Sequence, residues 1–463
     1  MNMADEHDRG CPAFSSAPGP LIGVVAAGLV YLMGFYPPVA VGIHDAQRVF
    51  VSVALAASLF AVPAIARGVQ LAWLSALAGV MALATVWQPS VTGAALYLSW
   101  LGLLAWGWHL YGRARAQPMR AQSLWSYVVV GMALAYAVRI SAAMAAAVPR
   151  EEVLLKEIFL GFGHIRHFAQ LIPPLLPVLA YCCLRGASGT PSVSRALRPL
   201  GALALLCWCV LLWLNGSAGA LYGTLIGLVF AVAIAGWQRA RPLILTMLAA
   251  GVVAVAVVLG LDYLVPLVGE IAQSARMEES GRFAIWADSA RALAERPLLG
   301  WGPARFPEVI DARVGHPHNA ELAFAMDFGL IALAFLLVVM WRWFSPLRLA
   351  GRIRSMSVRD AQWPVALTAA SFGSLAHAQV SGVTVMPLAQ LVLASTLALL
   401  LAAVDTAPQE VVHSRIARTI GVLAGTALAV SVALSAVLAP CGPFAAQEVR
   451  CEMRPSFWSR APT

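Results

Sequence analysis

Lysine is almost absent from this chain: Lys156 is the only one, and arginine supplies nearly all of the positive charge. Charge of either sign is scarce. Asp, Glu, Lys and Arg make up 11% of the residues against 60% hydrophobic, about half the charge of ordinary soluble domains. A water-soluble protein is thereby excluded and a polytopic membrane protein implied. The formal net charge of +9 would suggest nucleic acid for a soluble protein. In a membrane protein it reports loop orientation instead, so no nucleic-acid partner is expected. Also missing are a Walker-type glycine loop and a GxGxxG after a strand, so bound ATP is not expected to drive a reaction. The N-terminus, MNMADEHDRG, is acidic and lacks the basic start of a signal peptide. The stretch 21–36 is therefore read as a retained first helix. Of seven cysteines, Cys182, Cys183, Cys207 and Cys209 lie in apolar runs and read as packing residues. Cys441 and Cys451 flank a short polar stretch and are expected to pair if that tail is extracytoplasmic.

What is present is long apolar sequence. Stretches able to span a bilayer fall at 20–36, 48–66, 69–88, 92–111, 124–148, 168–185, 199–214, 218–236, 242–261, 320–344, 361–380, 383–405 and 419–440. At roughly 20 apolar residues per crossing, and because lipid offers no partner to the backbone, these predict 12–13 helices. The organisation expected is transmembrane helices over 1–261, a large loop over 262–319, further helices over 320–440 and a short tail over 441–463. Alternate short connections carry arginine with almost no acid: Arg67, then Arg113 to Arg120, Arg185 to Arg198, Arg239 and Arg241, Arg348 to Arg359, and Arg415 with Arg418. The positive-inside rule places these in the cytoplasm. The loops at 149–167 and 262–319 and the tail then face the other side.

The 262–319 loop is far longer than a connection needs to be, and it ends directly on an apolar helix. Its last segment is Gly315-His316-Pro317-His318-Asn319-Ala320-Glu321-Leu322. Asn319 is a good N-cap and Glu321 belongs in the first turn. His318 is then held beside the positive end of a helix, a setting that holds anions and favours a neutral imidazole. Such a histidine can act as a general base on a hydroxyl. Earlier in the loop, Ser280-Gly281-Arg282-Phe283-Ala284-Ile285-Trp286 opens an amphipathic pattern. Phe283, Trp286, Ala290 and Leu293 predict a helix lying on the bilayer. Arg282 at its start suits phosphate. On the same face, Gly161-Phe162-Gly163-His164-Ile165-Arg166-His167-Phe168 sends Arg166 into a membrane helix, where a guanidinium usually has an anionic partner. His44-Asp45-Ala46-Gln47-Arg48 and Arg139 are further candidate contacts. His164, His167, His316 and His318 have spacings a metal would tolerate, yet no cysteine or carboxylate completes a site, so no metal or other cofactor is expected.

At these residues the chain resembles the O-antigen ligase and polymerase superfamily. The shared pattern is Arg282 to Trp286, then Pro297-Leu298-Leu299-Gly300-Trp301-Gly302-Pro303, then His316 to Asn319, followed by Asp327 and Gly329 to Leu333. The resemblance implies an all-α, GT-C-like membrane fold with short amphipathic helices in a long periplasmic loop. It implies an inner-membrane glycosyltransferase that moves a glycan from undecaprenyl pyrophosphate to an acceptor, inverting and metal-independent. His318 would be the base, and Arg282 and Arg166 would neutralise the pyrophosphate. His316, Asn319, Arg48 and Arg139 would support the site. Members often carry Ser-Arg-Gly at the start of a middle helix. Here Asn215-Gly216-Ser217-Ala218-Gly219 has no arginine, and Arg166 is expected to supply that charge. The leading expectation is an O-antigen ligase, with lipid A-core as acceptor. An O-antigen polymerase and a protein O-oligosaccharyltransferase share donor and chemistry. A transporter would need polar residues near the midplane of several helices, for which Asp327 and His377 are the main candidates.

Overall fold

The computed structural model describes residues 51, 69–147, 165–184, 191–264, 281–310 and 315–405. The predicted spans at 20–36 and 419–440, most of that at 48–66, and Arg48, His164, Cys441 and Cys451 lie outside the described residues.

The described chain is all helix: α1 (Val69–Trp87), α2 (Val91–Ala116), α3 (Pro118–Ala147), α4 (Ile165–Ala169), α5 (Ile172–Leu184), α6 (Pro191–Asn215), α7 (Ala218–Ala235), α8 (Trp237–Leu264), α9 (Arg282–Glu295), α10 (Phe306–Val309), α11 (Ala320–Phe344), α12 (Pro346–Ser355), α13 (Gln362–Ala378) and α14 (Pro387–Val404). Each predicted apolar stretch within the described residues contains one of these helices. Six are long and apolar enough to cross a membrane: Pro118–Ala145, Leu197–Asn215, Ala218–Ala235, Trp237–Leu261, Ala320–Ser355 and Pro387–Val404. Their outward faces are apolar. On α8, Leu248, Val252 and Leu259 are 55%, 71% and 64% exposed, a surface that water would not tolerate. The protein is an all-α polytopic membrane protein.

Local chemistry fixes where helices begin. The Ser90 hydroxyl accepts the Gly93 N–H at 2.9 Å, and the Ser217 hydroxyl accepts that of Ala220 at 3.3 Å, so two orphan donors are satisfied. Pro118, Pro191, Pro346 and Pro387 each open a helix, where a missing N–H costs nothing. The stretch predicted as one span at 168–185 is divided: α4 ends at Ala169, and α5 restarts at Ile172 with Pro173 and Pro174 in its first turn. Prolines there cannot donate back to α4 and so enforce a new start.

α5 has only 13 residues and is buried from Ile172 to Cys182. It is a core helix wrapped by α6, α8 and α13. Trp208 of α6 is fully buried, lies 5.0 Å from Phe168 between ring centroids, and donates its indole N–H to Ala133 O at 2.9 Å. α7 meets α13 through Gly219, Gly223 and Gly227, which share one face at i, i+4 spacing. A Cβ on Gly227 would stand 2.2 Å from Ala369 O, and one on Gly223 would stand 2.8 Å from Gly373 O. Small residues let two membrane helices touch backbone to backbone, which maximises dispersion contact where lipid supplies no hydrophobic drive.

Candidate functional site

The site rests on a broken helix. Within α11, Gly329 has φ 82 and ψ 171, a conformation open to glycine almost alone. The break frees one carbonyl and one N–H that lipid cannot satisfy. The Pro297–Pro303 segment takes both: Trp301 N–H donates to Met326 O, and Leu330 N–H donates to Pro297 O, each at 2.8 Å. Gly300, at φ 70, passes so close that a Cβ would lie 2.5 Å from Met326 O. Ala304, at φ 66, donates its N–H to Asp327 Oδ1 at 3.1 Å. The turn motif is thus an insert seated in the helix gap. The Arg296 guanidinium lies 4.1 Å over the Trp301 ring, and the Trp301 indole donates to Ala292 O at 2.8 Å.

α9 begins at Arg282 as the pattern predicts, after Gly281 in a left-handed conformation. The face it buries differs from the predicted stripe. Ile285, Ala292 and Leu293 pack with Phe306, Ile310 and Met326, while Phe283 is 83% exposed. Trp286 donates its indole N–H to Pro317 O at 2.7 Å. The reason is that the loop supplies an apolar partner of its own, α10 and the inserted turn, which covers one flank of α9.

The histidine loop is tied down from His316 to Asn319. Asn319 caps α11, its Oδ1 accepting Leu322 N–H at 2.8 Å. Its Nδ2 donates to Gln379 O at 3.3 Å and to Gln379 Oε1 at 3.4 Å, and Gln379 Nε2 donates to Glu321 Oε1 at 2.9 Å. His318 has φ 56, a left-handed conformation that costs a non-glycine residue about 1–2 kcal/mol. A hydrogen bond offsets this: His318 N–H donates to His316 Nδ1 at 3.1 Å, with ring centroids 4.1 Å apart. Because Nδ1 accepts, the His316 proton belongs on Nε2. Nε2 is buried with no hydrogen-bond partner among the described residues. Burial, and then the nearby charges of His318, His167 and Arg282, hold the His316 pKa well below its ordinary value of 6.5.

The cations converge here. Arg282 is half-buried; burial and then the Arg166 guanidinium lower its pKa. Arg166 and His167, side by side on α4 and partly buried, come from the part of the chain most distant in sequence. The structure thus brings Arg166 close to Arg282, and Arg282, His167 and His318 close to His316. Two carboxylates on α11 are engaged otherwise, Glu321 by Gln379 and Asp327 by the Ala304 N–H. Two neighbouring guanidiniums favour an anion, and they suit phosphate oxygens in particular. Arg139 is buried on α3 beside Tyr136, whose ring contacts Phe168 and Trp208. Among the described residues no group of three or more His, Cys, Asp or Glu is placed to hold a metal.

Sequence reasoning missed Gln379 and Gly382. Gln379 joins two helix ends through three hydrogen bonds, and a Cβ on Gly382 would fall 2.7 Å from His316 Cε1. A polar glutamine closing an apolar helix was the only available signal. At 215–219, where an arginine is absent, Asn215 is buried, Gly216 has φ 63 and Ser217 caps α7.

No curated protein matches the chain. Residues 202–337, the span holding α9, the inserted turn, the histidine loop and the helix break, match the family model Wzy_C, O-antigen ligase.

Proposed function

We propose that the protein is an O-antigen ligase that transfers a glycan from undecaprenyl pyrophosphate to lipid A-core at the periplasmic face of the inner membrane. What supports this reading is that Arg166 lies near Arg282, and that Arg282 lies near His316, whose Nδ1 accepts the His318 N–H. His318 removes the proton of an acceptor hydroxyl, and that oxygen attacks the anomeric carbon of the donor sugar. The bond to the pyrophosphate breaks from the opposite face, so configuration inverts. Arg282 and Arg166 neutralise the departing charge, the electrostatic duty that a metal performs in other phosphate chemistry. The loop 262–319 carries the base and one clamp arginine; helices before 261 and after 320 anchor it, and the route needs no metal or cofactor. His316 and Asn319 position His318.

The full-length chain in lipid nanodiscs, given an undecaprenyl-pyrophosphate glycan and three separate acceptors, tests this. Transfer to lipid A-core is expected. Transfer only to a second lipid-linked glycan would make the protein a polymerase, and transfer only to a pilin-like protein an O-oligosaccharyltransferase. Movement of glycan across the bilayer without transfer would make it a transporter.

A further inference from the structure

Helix α12 carries three arginines, Arg348, Arg352 and Arg354, and no acid. It buries Leu349 and Ile353 and lies at the opposite end of α11 from the histidine loop, with Ser345 alone between the two helices. The last turn of α11 exposes Trp341 at 63%. A tryptophan so placed at the end of a membrane helix marks the level of the lipid headgroups. A short helix with one apolar stripe and a basic face suits that boundary.

The arginines here divide into two kinds. Arg354 donates to Ala233 O at 2.7 Å and to Ile234 O at 2.9 Å, in the last turn of α7. Arg239 of α8 donates to Arg354 O at 2.6 Å and to Met356 O at 2.9 Å, at the end of α12. Carbonyls at a helix C-terminus lack partners in their own helix, so these two guanidiniums are spent on fixing α12 to α7 and α8. Arg348 and Arg352 are not. Both are exposed, they stand one turn apart on the same face, and neither guanidinium has a hydrogen bond or ion pair among the described residues. Gly351, between them, has nothing within 4 Å of its Cβ position. Leu347, beside Arg348, is 81% exposed. The acid nearest in sequence, Asp360, is engaged by the Ser357 hydroxyl at 2.7 Å.

We infer that α12 is a binding site for an anionic phospholipid, its phosphate held by Arg348 and Arg352 and its acyl chain lying along Leu347. Like charges at i, i+4 repel, and a phosphate between them turns that repulsion into two attractions. Guanidinium geometry suits the phosphate oxygens. The exposed leucine favours an anion that carries hydrocarbon over one that does not. A zwitterionic lipid would bring its own ammonium against the guanidiniums. The site uses none of the residues given a role in transfer, so it does not depend on the transferase reading.

Native mass spectrometry of the detergent-purified full-length chain tests this, with phosphatidylglycerol and phosphatidylcholine of identical acyl chains offered in turn. An arginine beside an anionic lipid is worth roughly fivefold in affinity, so the pair should favour phosphatidylglycerol by about 30-fold. Arg348→Gln/Arg352→Gln should erase that preference, and Arg348→Lys/Arg352→Lys should keep most of it. Arg291→Gln is the control, since Arg291 is exposed on α9 and already paired with Asp288; it should leave the preference whole. Raising the ionic strength should weaken phosphatidylglycerol far more than phosphatidylcholine. SDS unfolding checks that each variant folds. If the double glutamine variant does not, each single one is read in its place and should lose about fivefold. Equal binding of the two lipids to wild type, a preference that survives loss of both arginines, or one that falls equally in Arg291→Gln would overturn the assignment. Glycerol phosphate bound as tightly as the lipid would also overturn it, by marking a site for a free anion.

Discussion

Replacing Gly329 by alanine probes the framework on which the whole site depends. At φ 82 and ψ 171 an alanine is held in a region that costs about 1–3 kcal/mol. Its methyl group would also begin 2.0 Å from Leu298 O and 2.6 Å from Leu299 Cα. Both are backbone atoms, so no side-chain rotation relieves the overlap. The inserted turn must withdraw, and the bonds from Trp301 N–H to Met326 O and from Leu330 N–H to Pro297 O are lost with it. Each is worth about 1 kcal/mol net. The expected destabilisation is about 3–5 kcal/mol, measured by SDS unfolding of the detergent-solubilised chain. Limited proteolysis should show cleavage between Pro297 and Ile310 that the wild type resists. Gly351, helical and with nothing within 4 Å of its Cβ position, is the control; Gly351→Ala should be neutral or stabilising by up to about 1 kcal/mol. If Gly329→Ala unfolds within about 0.5 kcal/mol of wild type and the turn stays protected, the insert does not hold the broken helix as described.

His318→Ala should lower transfer by about a hundredfold to ten-thousandfold with unchanged unfolding; near-normal turnover would remove it as the base. Arg282→Ala should weaken donor binding by roughly ten- to a hundredfold, read as competition by inorganic pyrophosphate; unchanged competition would take it out of the site. His316 is held neutral in the fold, so the unfolded chain binds its proton first. Its stabilising contribution is full above about pH 6.5 and falls on acidification, by at most about 1.4 kcal/mol per pH unit; His316→Gln should flatten that slope between pH 6.5 and 5.5, and equal slopes would refute a buried imidazole held neutral by the fold. Gly227→Ala, with its Cβ 2.2 Å from Ala369 O, should cost about 1–3 kcal/mol in SDS unfolding, whereas Gly251→Ala, in open space, should cost nothing.

Residues whose roles are local were legible. Asn319 caps α11 because a short amide side chain ahead of an apolar run can do little else, and Arg282 opens α9 where the periodicity begins. The apolar stretches were legible because lipid leaves the backbone only one way to satisfy itself. Roles that depend on distant parts of the chain were not. The inserted turn reads as a loop until Gly329 is seen to break the helix that receives it. Gln379 contacts residues 58 and 60 positions away, a separation that periodicity does not carry. That Ile285, Ala292 and Leu293 are the residues α9 turns toward α10 was not legible either, because the sequence shows that a face is apolar, never which neighbour covers it.

The splice at Gly329 bears on inheritance. Loop and membrane helix here share one hydrogen-bond ladder, so neither is a module that can be exchanged alone. A chimera that takes the polar segment 281–310 from a relative but keeps its own residues 325–330 would bring a key without its lock. Substitutions in Pro297–Ala304 and in Met326–Leu330 should therefore be tolerated as matched sets rather than singly. Any redesign of this loop will have to leave that shared ladder untouched.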